Sequence, residues 1–374
     1  MPPGNLLIKP ASGLCNMRCR YCFYADETQN RAVESFGIMT GDTLEKLVVA
    51  ALTYFTGECT FAFQGGEPTL AGLPFFRTLI ALVKEHNVRR LKVHYAIQTN
   101  GYVIDDEWAE FVGENNFLVG LSLDGTKELH DSLRPDAAGN GTYHRVLHAA
   151  QLLERHHVEY NLLTVVTAPL AKKIGSVYGF YKRSGFRYQQ YIACLDPLGE
   201  QRGGHAYSLT PADYEYFLKT LFDRWYQDVR RGEFVYNRYF ENLVGMLLGQ
   251  PPESCGMAGF CSQQWVVEAD GGVYPCDFYV LDEYKLGNLC TDSFPQLEQR
   301  RQELGFVEQS RVQAPECAQC RWYSLCRGGC RRDRDQMDGT LGLNYFCSAY
   351  RAFFQYAYPR LEEIARTVQQ NGQR

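Results

Sequence analysis

Three cysteines stand at C-x3-C-x2-C spacing in Cys15-Asn16-Met17-Arg18-Cys19-Arg20-Tyr21-Cys22, a few residues after the apolar run Leu6-Leu7-Ile8. Three thiolates so close in sequence can ligate three irons of a [4Fe–4S] cube and leave the fourth iron without a protein ligand. An open metal position points to catalysis, because something other than protein must fill it. A cluster that only carries electrons calls for a fourth cysteine nearby, and the next one, Cys59, lies far along the chain. The competing readings are a zinc site one ligand short and unrelated core thiols.

Composition narrows the rest. The 374 residues suit one and a half to two domains; 45% are hydrophobic and 22% charged, with a net charge of −5. That balance argues against disorder and against nucleic acid as a bulk electrostatic partner. No apolar run reaches the roughly 18 residues of a membrane span. The first residues, MPPGNLLIKPASG, lack the basic region and apolar core of a signal peptide. Fourteen cysteines without such a signal favour metal over disulfides, and a cytoplasmic, reducing location.

From residue 5 to about 192 the pattern alternates between strand and helix. Strands are expected at 5–9, 60–64, 91–98, 117–123, 160–166 and 188–192, with helices at 42–54, 75–85, 107–114, 143–155 and 176–183. About six βα units imply a parallel sheet curved towards a barrel, with function on the loops after the strands. Polar and glycine-rich segments fall at those points: the cysteine loop, Gln64-Gly65-Gly66-Glu67-Pro68, Gln98-Thr99-Asn100-Gly101, Ser122-Leu123-Asp124-Gly125 and Cys194-Leu195-Asp196-Pro197. Gly65 and Gly66 remove side chains where backbone must approach a ligand, and Pro68 stiffens the turn. Free carbonyls there can accept hydrogen bonds from an ammonium group, with Glu67 adding charge. Residues 201–250 break the alternation with two helices, at 211–229 and 239–248. The stripe Tyr214, Phe217, Leu218, Leu221, Phe222 and Trp225 reads as core packing.

A second cysteine field follows: Cys255, Cys261, Cys276, Cys317, Cys320, Cys326, Cys330 and Cys347. Cys276 ends a hairpin whose strands, 265–269 and 272–274, flank Asp270-Gly271. Cys317 to Cys330 form a C-x2-C-x5-C-x3-C block. Eight thiolates divide into two four-ligand sites, for two [4Fe–4S] clusters or two zinc ions. The iron–sulfur motif at the start of the chain tips the choice towards iron. Cys59, Cys194 and Cys290 remain as buried small apolar residues.

The first motif, with an aromatic residue before its third cysteine, resembles the signature of the radical S-adenosylmethionine (radical SAM) enzymes. The second field resembles the SPASM domain that follows some of them. LIKPASGLCNMRCRYCFY, FQGGEPTLAG, QTNG, SLDG and YPCDFYV together resemble the anaerobic sulfatase-maturating enzymes over nearly the whole chain. The resemblance implies an α/β fold. A partial (β/α)6 radical SAM barrel (1–200) is followed by a helical bridge (201–250), a small cysteine-rich SPASM domain with two auxiliary clusters (251–350) and a C-terminal helix (351–374). It implies S-adenosylmethionine and three [4Fe–4S] clusters. Cys15, Cys19 and Cys22 then hold the first cluster. Cys255, Cys261, Cys276 and Cys330 hold a second, and Cys317, Cys320, Cys326 and Cys347 a third. Gly65, Gly66 and Glu67 match the motif that binds the cofactor's amino group. Ser122 and Arg134 suit its carboxylate, and Tyr21 and Leu195 flank its adenine.

The implied reaction converts a cysteine or serine of a sulfatase into Cα-formylglycine. A 5′-deoxyadenosyl radical takes hydrogen from Cβ, and an auxiliary cluster takes the second electron. Asp277, next to Cys276, is the candidate base, with Tyr24 and Gln64 orienting the target residue. Expected partners are an unfolded or nascent sulfatase with a Cys/Ser-x-Pro/Ala-x-Arg motif and an electron donor such as flavodoxin or ferredoxin, with the chain a monomer. Two alternatives are a maturase that crosslinks another peptide, and a multi-cluster electron-transfer protein. Only 14 residues precede Cys15, little room for the N-terminal peptide-binding module such a maturase often carries. The GGEP loop and barrel-like alternation speak against the electron carrier.

Overall fold

The computed structural model describes residues 4–336 and 339–372. Among them are ten strands: β1 (Gly4–Ile8), β2 (Glu58–Phe63), β3 (Lys92–Thr99), β4 (Phe117–Ser122), β5 (Tyr160–Val166), β6 (Tyr188–Ala193), β7 (Tyr236–Asn237), β8 (Trp265–Val267), β9 (Gly272–Tyr274) and β10 (Gly287–Asn288). The chain folds into two compact units that interleave in sequence. One holds residues up to Leu123, His130–Asn161 and Gln263–Phe306. The other holds Asp124–Leu129, Leu162–Ser262 and the chain from Val307.

In the first unit the strand order is β10–β9–β8–β1–β2–β3–β4. Strands β1 to β4 run parallel in near-continuous register, Leu6 beside Phe61 and Phe61 beside Tyr95. Helices Gly41–Tyr54, Gly72–His86 and Asp106–Glu114 make the crossovers. Two of them start where their caps dictate: Thr40 and Asp105 side chains accept from the Thr43 and Trp108 amides. Alternation sets the core, since Cys59, Phe61 and Phe63 of β2 are all buried. Phe76 packs edge-on against Phe63 and Trp108, with ring centroids 5.1 and 5.3 Å apart. Each such ring contributes about 1.5–3 kcal/mol through burial.

The β8–β9 hairpin, grouped by sequence with the second cysteine field, also extends this first sheet. β8 lies parallel to β1, Leu6 beside Trp265, and turns back antiparallel into β9. Three apolar residues in a row, Trp265-Val266-Val267, are all buried, which an edge hairpin on a peripheral domain would not require. The pairing brings Cys276 and Asp277 into the same unit as the first cysteine loop.

In the second unit β5, β6 and β7 pair in parallel. Helix Pro211–Arg231 packs against the C-terminal helix Cys347–Gly372. The expected stripe from Tyr214 to Trp225 is buried, with Phe222 set 5.7 Å from Phe353. That terminal helix begins at Cys347, ahead of the expected 351, and the last two residues of the expected span lie outside the described residues. Helices Phe23–Gln29, Lys127–Leu133 and Ala168–Lys172 were not expected, being too short for a helical period to register. No helix among the described residues is long and apolar enough to cross a membrane.

Candidate functional site

Chemistry gathers on the loops after β1 to β4. The chain leaves β1 into the cysteine loop and re-enters regular structure at helix Phe23–Gln29, with Cys22 as its N-cap residue. The loop is clamped from one side by the segment after helix Lys127–Leu133: Arg20 N donates to Leu133 O at 2.9 Å and Arg18 N to Pro135 O at 2.8 Å. From the other side Glu67 N donates to Leu14 O at 2.8 Å. Cys15, Cys19 and Cys22 are each half-buried. Burial, opposed by a hydrogen bond from the Met17 amide, pushes the Cys15 thiol up to about 11. It becomes a thiolate once a metal supplies positive charge.

The GGEP turn lies so close to the cysteine loop and to Lys9 that its glycines have no room for a side chain. Gly66 has φ +53°, and a Cβ there would stand 2.3 Å from Leu14 O and 2.7 Å from Ser12 O. A Cβ on Gly65 would strike the Lys9 stem at 2.5 Å. Glu67 is buried, and its carboxylate is occupied internally. It accepts from Thr69 N at 3.1 Å, from the Thr69 and Thr99 hydroxyls at 2.7 Å each, and from Asn100 N at 2.7 Å. The side chain therefore ties the loop after β2 to the loop after β3. We expect Glu67→Gln to place an N–H against one of these donors and cost about 1–3 kcal/mol, read as a lower urea midpoint of the cluster-loaded protein.

Ser122 and Arg134 are both buried. Ser122 accepts from Gln98 Nε2 at 3.1 Å, and Arg134 donates to Tyr21 Oη at 2.7 Å, so two residues named separately from sequence meet directly. Asn16 Nδ2 is buried with no hydrogen-bond partner among the described residues. A cysteine trio, a buried cation and a spare buried donor suit an iron–sulfur cube with an anionic cofactor. Leu195 lies in the second unit, half-buried just after β6.

Asp277 is 7% exposed. Its Oδ2 accepts from Tyr24 Oη and from Gln64 Nε2, each at 2.7 Å, while Oδ1 is buried with no partner among the described residues. All three candidate catalytic residues therefore meet at one carboxylate. Burial pushes the Asp277 carboxyl above its ordinary value, against the opposing pull of Lys9, Tyr24 and Gln64.

Behind it lies a buried ion network that the sequence did not disclose. Lys9, fully buried, contacts Glu27 Oε2 at 2.8 Å and Glu268 Oε1 at 3.3 Å, and Arg31 contacts Glu268 Oε1 at 2.7 Å. Glu27 Oε1 accepts from Val280 N at 2.7 Å, which pins the segment after Asp277. Burial alone would lower the Lys9 ammonium, but Glu27, Glu268 and Asp277 together raise it. Nothing in LLIKP marks this lysine as interior; the only signal is a charge directly abutting a buried strand.

In the second unit, buried thiols have other cysteines as electrostatic neighbours. Burial raises the Cys330 thiol, and Asp333, Cys255 and Cys261 add to it. Burial takes Cys326 up to about 11, helped by Cys347, Cys317 and Cys320. Cys330 thus has thiol neighbours in Cys255 and Cys261, although it ends the block that starts at Cys317. Cys276, the remaining candidate ligand, belongs to the first unit.

Comparison with known proteins identifies this arrangement. Residues 10–170 match the radical SAM superfamily and residues 255–321 an iron–sulfur cluster-binding domain, SPASM. The chain is 49% identical over 369 residues to a cysteine-type anaerobic sulfatase-maturating enzyme of Clostridium perfringens, covering 98% of this chain and 100% of that one. A serine-type enzyme of Bacteroides thetaiotaomicron is 31% identical, with 98% and 92% covered. The solved structure of native anSMEcpe with bound AdoMet and Kp18Cys peptide superposes with a TM-score of 0.94 at 48% identity, covering 98% of this chain and 100% of that one. The chain belongs to the anaerobic sulfatase-maturating enzymes, radical SAM proteins with a SPASM domain.

Proposed function

We propose that this radical SAM enzyme oxidises a cysteine of a sulfatase polypeptide to Cα-formylglycine, with Asp277 as the base. The observation that carries the reading is the divided duty of the Asp277 carboxylate. Tyr24 and Gln64 hold one oxygen, and the other is buried and without a partner among the described residues. A carboxylate fixed in this way presents its free oxygen to an incoming proton without reorganising.

Cys15, Cys19 and Cys22 would hold the first cluster, the GGEP carbonyls the cofactor's ammonium, and Ser122 and Arg134 its carboxylate. Tyr21 and Leu195 would flank the adenine. Cys255, Cys261, Cys276 and Cys330 would hold one auxiliary cluster, and Cys317, Cys320, Cys326 and Cys347 the other. When bound, S-adenosylmethionine and the reduced first cluster supply a carbon radical that removes one hydrogen atom from the target Cβ, and an auxiliary cluster accepts the electron left behind. Asp277 takes the thiol proton as the C–S bond gains double-bond character. Water then replaces sulfur at that carbon, and hydrogen sulfide leaves. Tyr24 and Gln64 keep the carboxylate aimed through both stages.

Cysteine is favoured as the target because the relatives near 49% identity are cysteine-type and those near 31% serine-type. Three cysteine-ligated clusters would call for a reducing cytoplasm, where a flavodoxin- or ferredoxin-like donor would supply the first electron. Paired peptides that differ only in Cys or Ser before a Pro-x-Arg sequence test the choice by mass spectrometry. Faster conversion of the Cys peptide is expected, and equal or faster conversion of the Ser peptide would overturn it.

A further inference from the structure

The Gln98-Thr99-Asn100-Gly101 loop has no part in the chemistry derived so far, yet its amide side chain reaches the first cysteine. Asn100 Nδ2 donates to Cys15 Sγ at 3.7 Å, within hydrogen-bond range for sulfur, and to Asn16 Oδ1 at 2.8 Å. The amide cannot be turned round, because Asn100 Oδ1 accepts from Tyr102 N at 2.9 Å. Nor can its backbone drift, since Asn100 N donates to Glu67 Oε2 at 2.7 Å and the residue is 6% exposed. Cys15 Sγ also accepts from the Met17 amide, at 3.3 Å.

We propose that Asn100 is a positioning residue that sets the reduction potential of the first cluster by donating an N–H to the Cys15 sulfur. Reduction adds negative charge that spreads onto the ligating sulfurs. A fixed N–H dipole aimed at one of them stabilises the reduced state more than the oxidised one. The chain Glu67–Asn100–Cys15 also links the turn assigned to the cofactor's ammonium with the cysteine that ligates iron. The two parts of the site therefore keep their spacing without a covalent tie. The inference rests on assigning the first cluster to Cys15, Cys19 and Cys22.

The test is an anaerobic redox titration of the reconstituted holoenzyme, followed by EPR at the signal that changes when S-adenosylmethionine is added. That response and the iron content check the cluster assignment itself; the midpoint checks Asn100. With Asn100→Ala the reduced-to-oxidised ratio at fixed poise is expected to fall about tenfold, a 59 mV shift to more negative potential for a one-electron couple. Asn100→Ser, whose hydroxyl is too short to reach Cys15, should shift in the same direction. A midpoint equal to wild type in an iron-replete variant would overturn the proposal. Loss of iron from both variants would also overturn it, by making Asn100 a folding residue.

Discussion

Asp277→Asn is expected to leave iron content and deoxyadenosine production intact while aldehyde formation falls by about 10²–10⁴. The substituted amide keeps the shape of the side chain but must set an N–H either against the Tyr24 and Gln64 donors or at the free Oδ1 position. The first arrangement sets an N–H against the Gln64 amide, while the Tyr24 hydroxyl can turn to accept. The second presents a donor where a proton acceptor is needed. Both remove the base, and neither touches the cysteine loop. Cofactor cleavage and product formation should therefore separate, as measured by chromatography of deoxyadenosine beside mass spectrometry of the peptide. Unchanged aldehyde yield would remove Asp277 from the mechanism.

Gly66→Ala is expected to act at the opposite end of the site and to stop both products together. The added methyl would lie 2.3 Å from Leu14 O, on a backbone at φ +53° that alanine disfavours. The contact is backbone against backbone, so the turn or the cysteine loop must move. A displacement near 1 Å between reacting groups costs on the order of 10² in rate. Binding of S-adenosylmethionine, followed by equilibrium dialysis, should weaken in parallel, while the helical signal shows the chain still folded. A Gly66→Ala enzyme that binds and cleaves the cofactor normally would refute the role assigned to the turn.

Much of this was readable in the sequence because the determinants are local. The spacing of Cys15, Cys19 and Cys22 needs no tertiary information, and β5 and helix Tyr143–Arg155 fall where alternation and helical period place them. The meeting of Tyr24, Gln64 and Asp277 was nameable only through family motifs, because 213 residues separate Gln64 from Asp277. Lys9, Glu27, Arg31 and Glu268 stayed hidden for a physical reason. A buried ion pair is made by long-range pairing, and each charge taken alone looks like surface. The parallel addition of β8 to β1 was hidden likewise, since a three-residue strand whose partner lies at the start of the chain leaves no local βα signature. Glu67 was recognised by its motif, but its four donors come from two loops and could not be counted in advance.

The most direct measurement uses anaerobically reconstituted, reduced enzyme with S-adenosylmethionine and a peptide carrying Cys-x-Pro-x-Arg, quantifying deoxyadenosine and the aldehyde residue over time. The two are expected to accumulate in step, one per turnover, with release of hydrogen sulfide. Deoxyadenosine without aldehyde, from iron-replete enzyme and an accessible peptide, would contradict it.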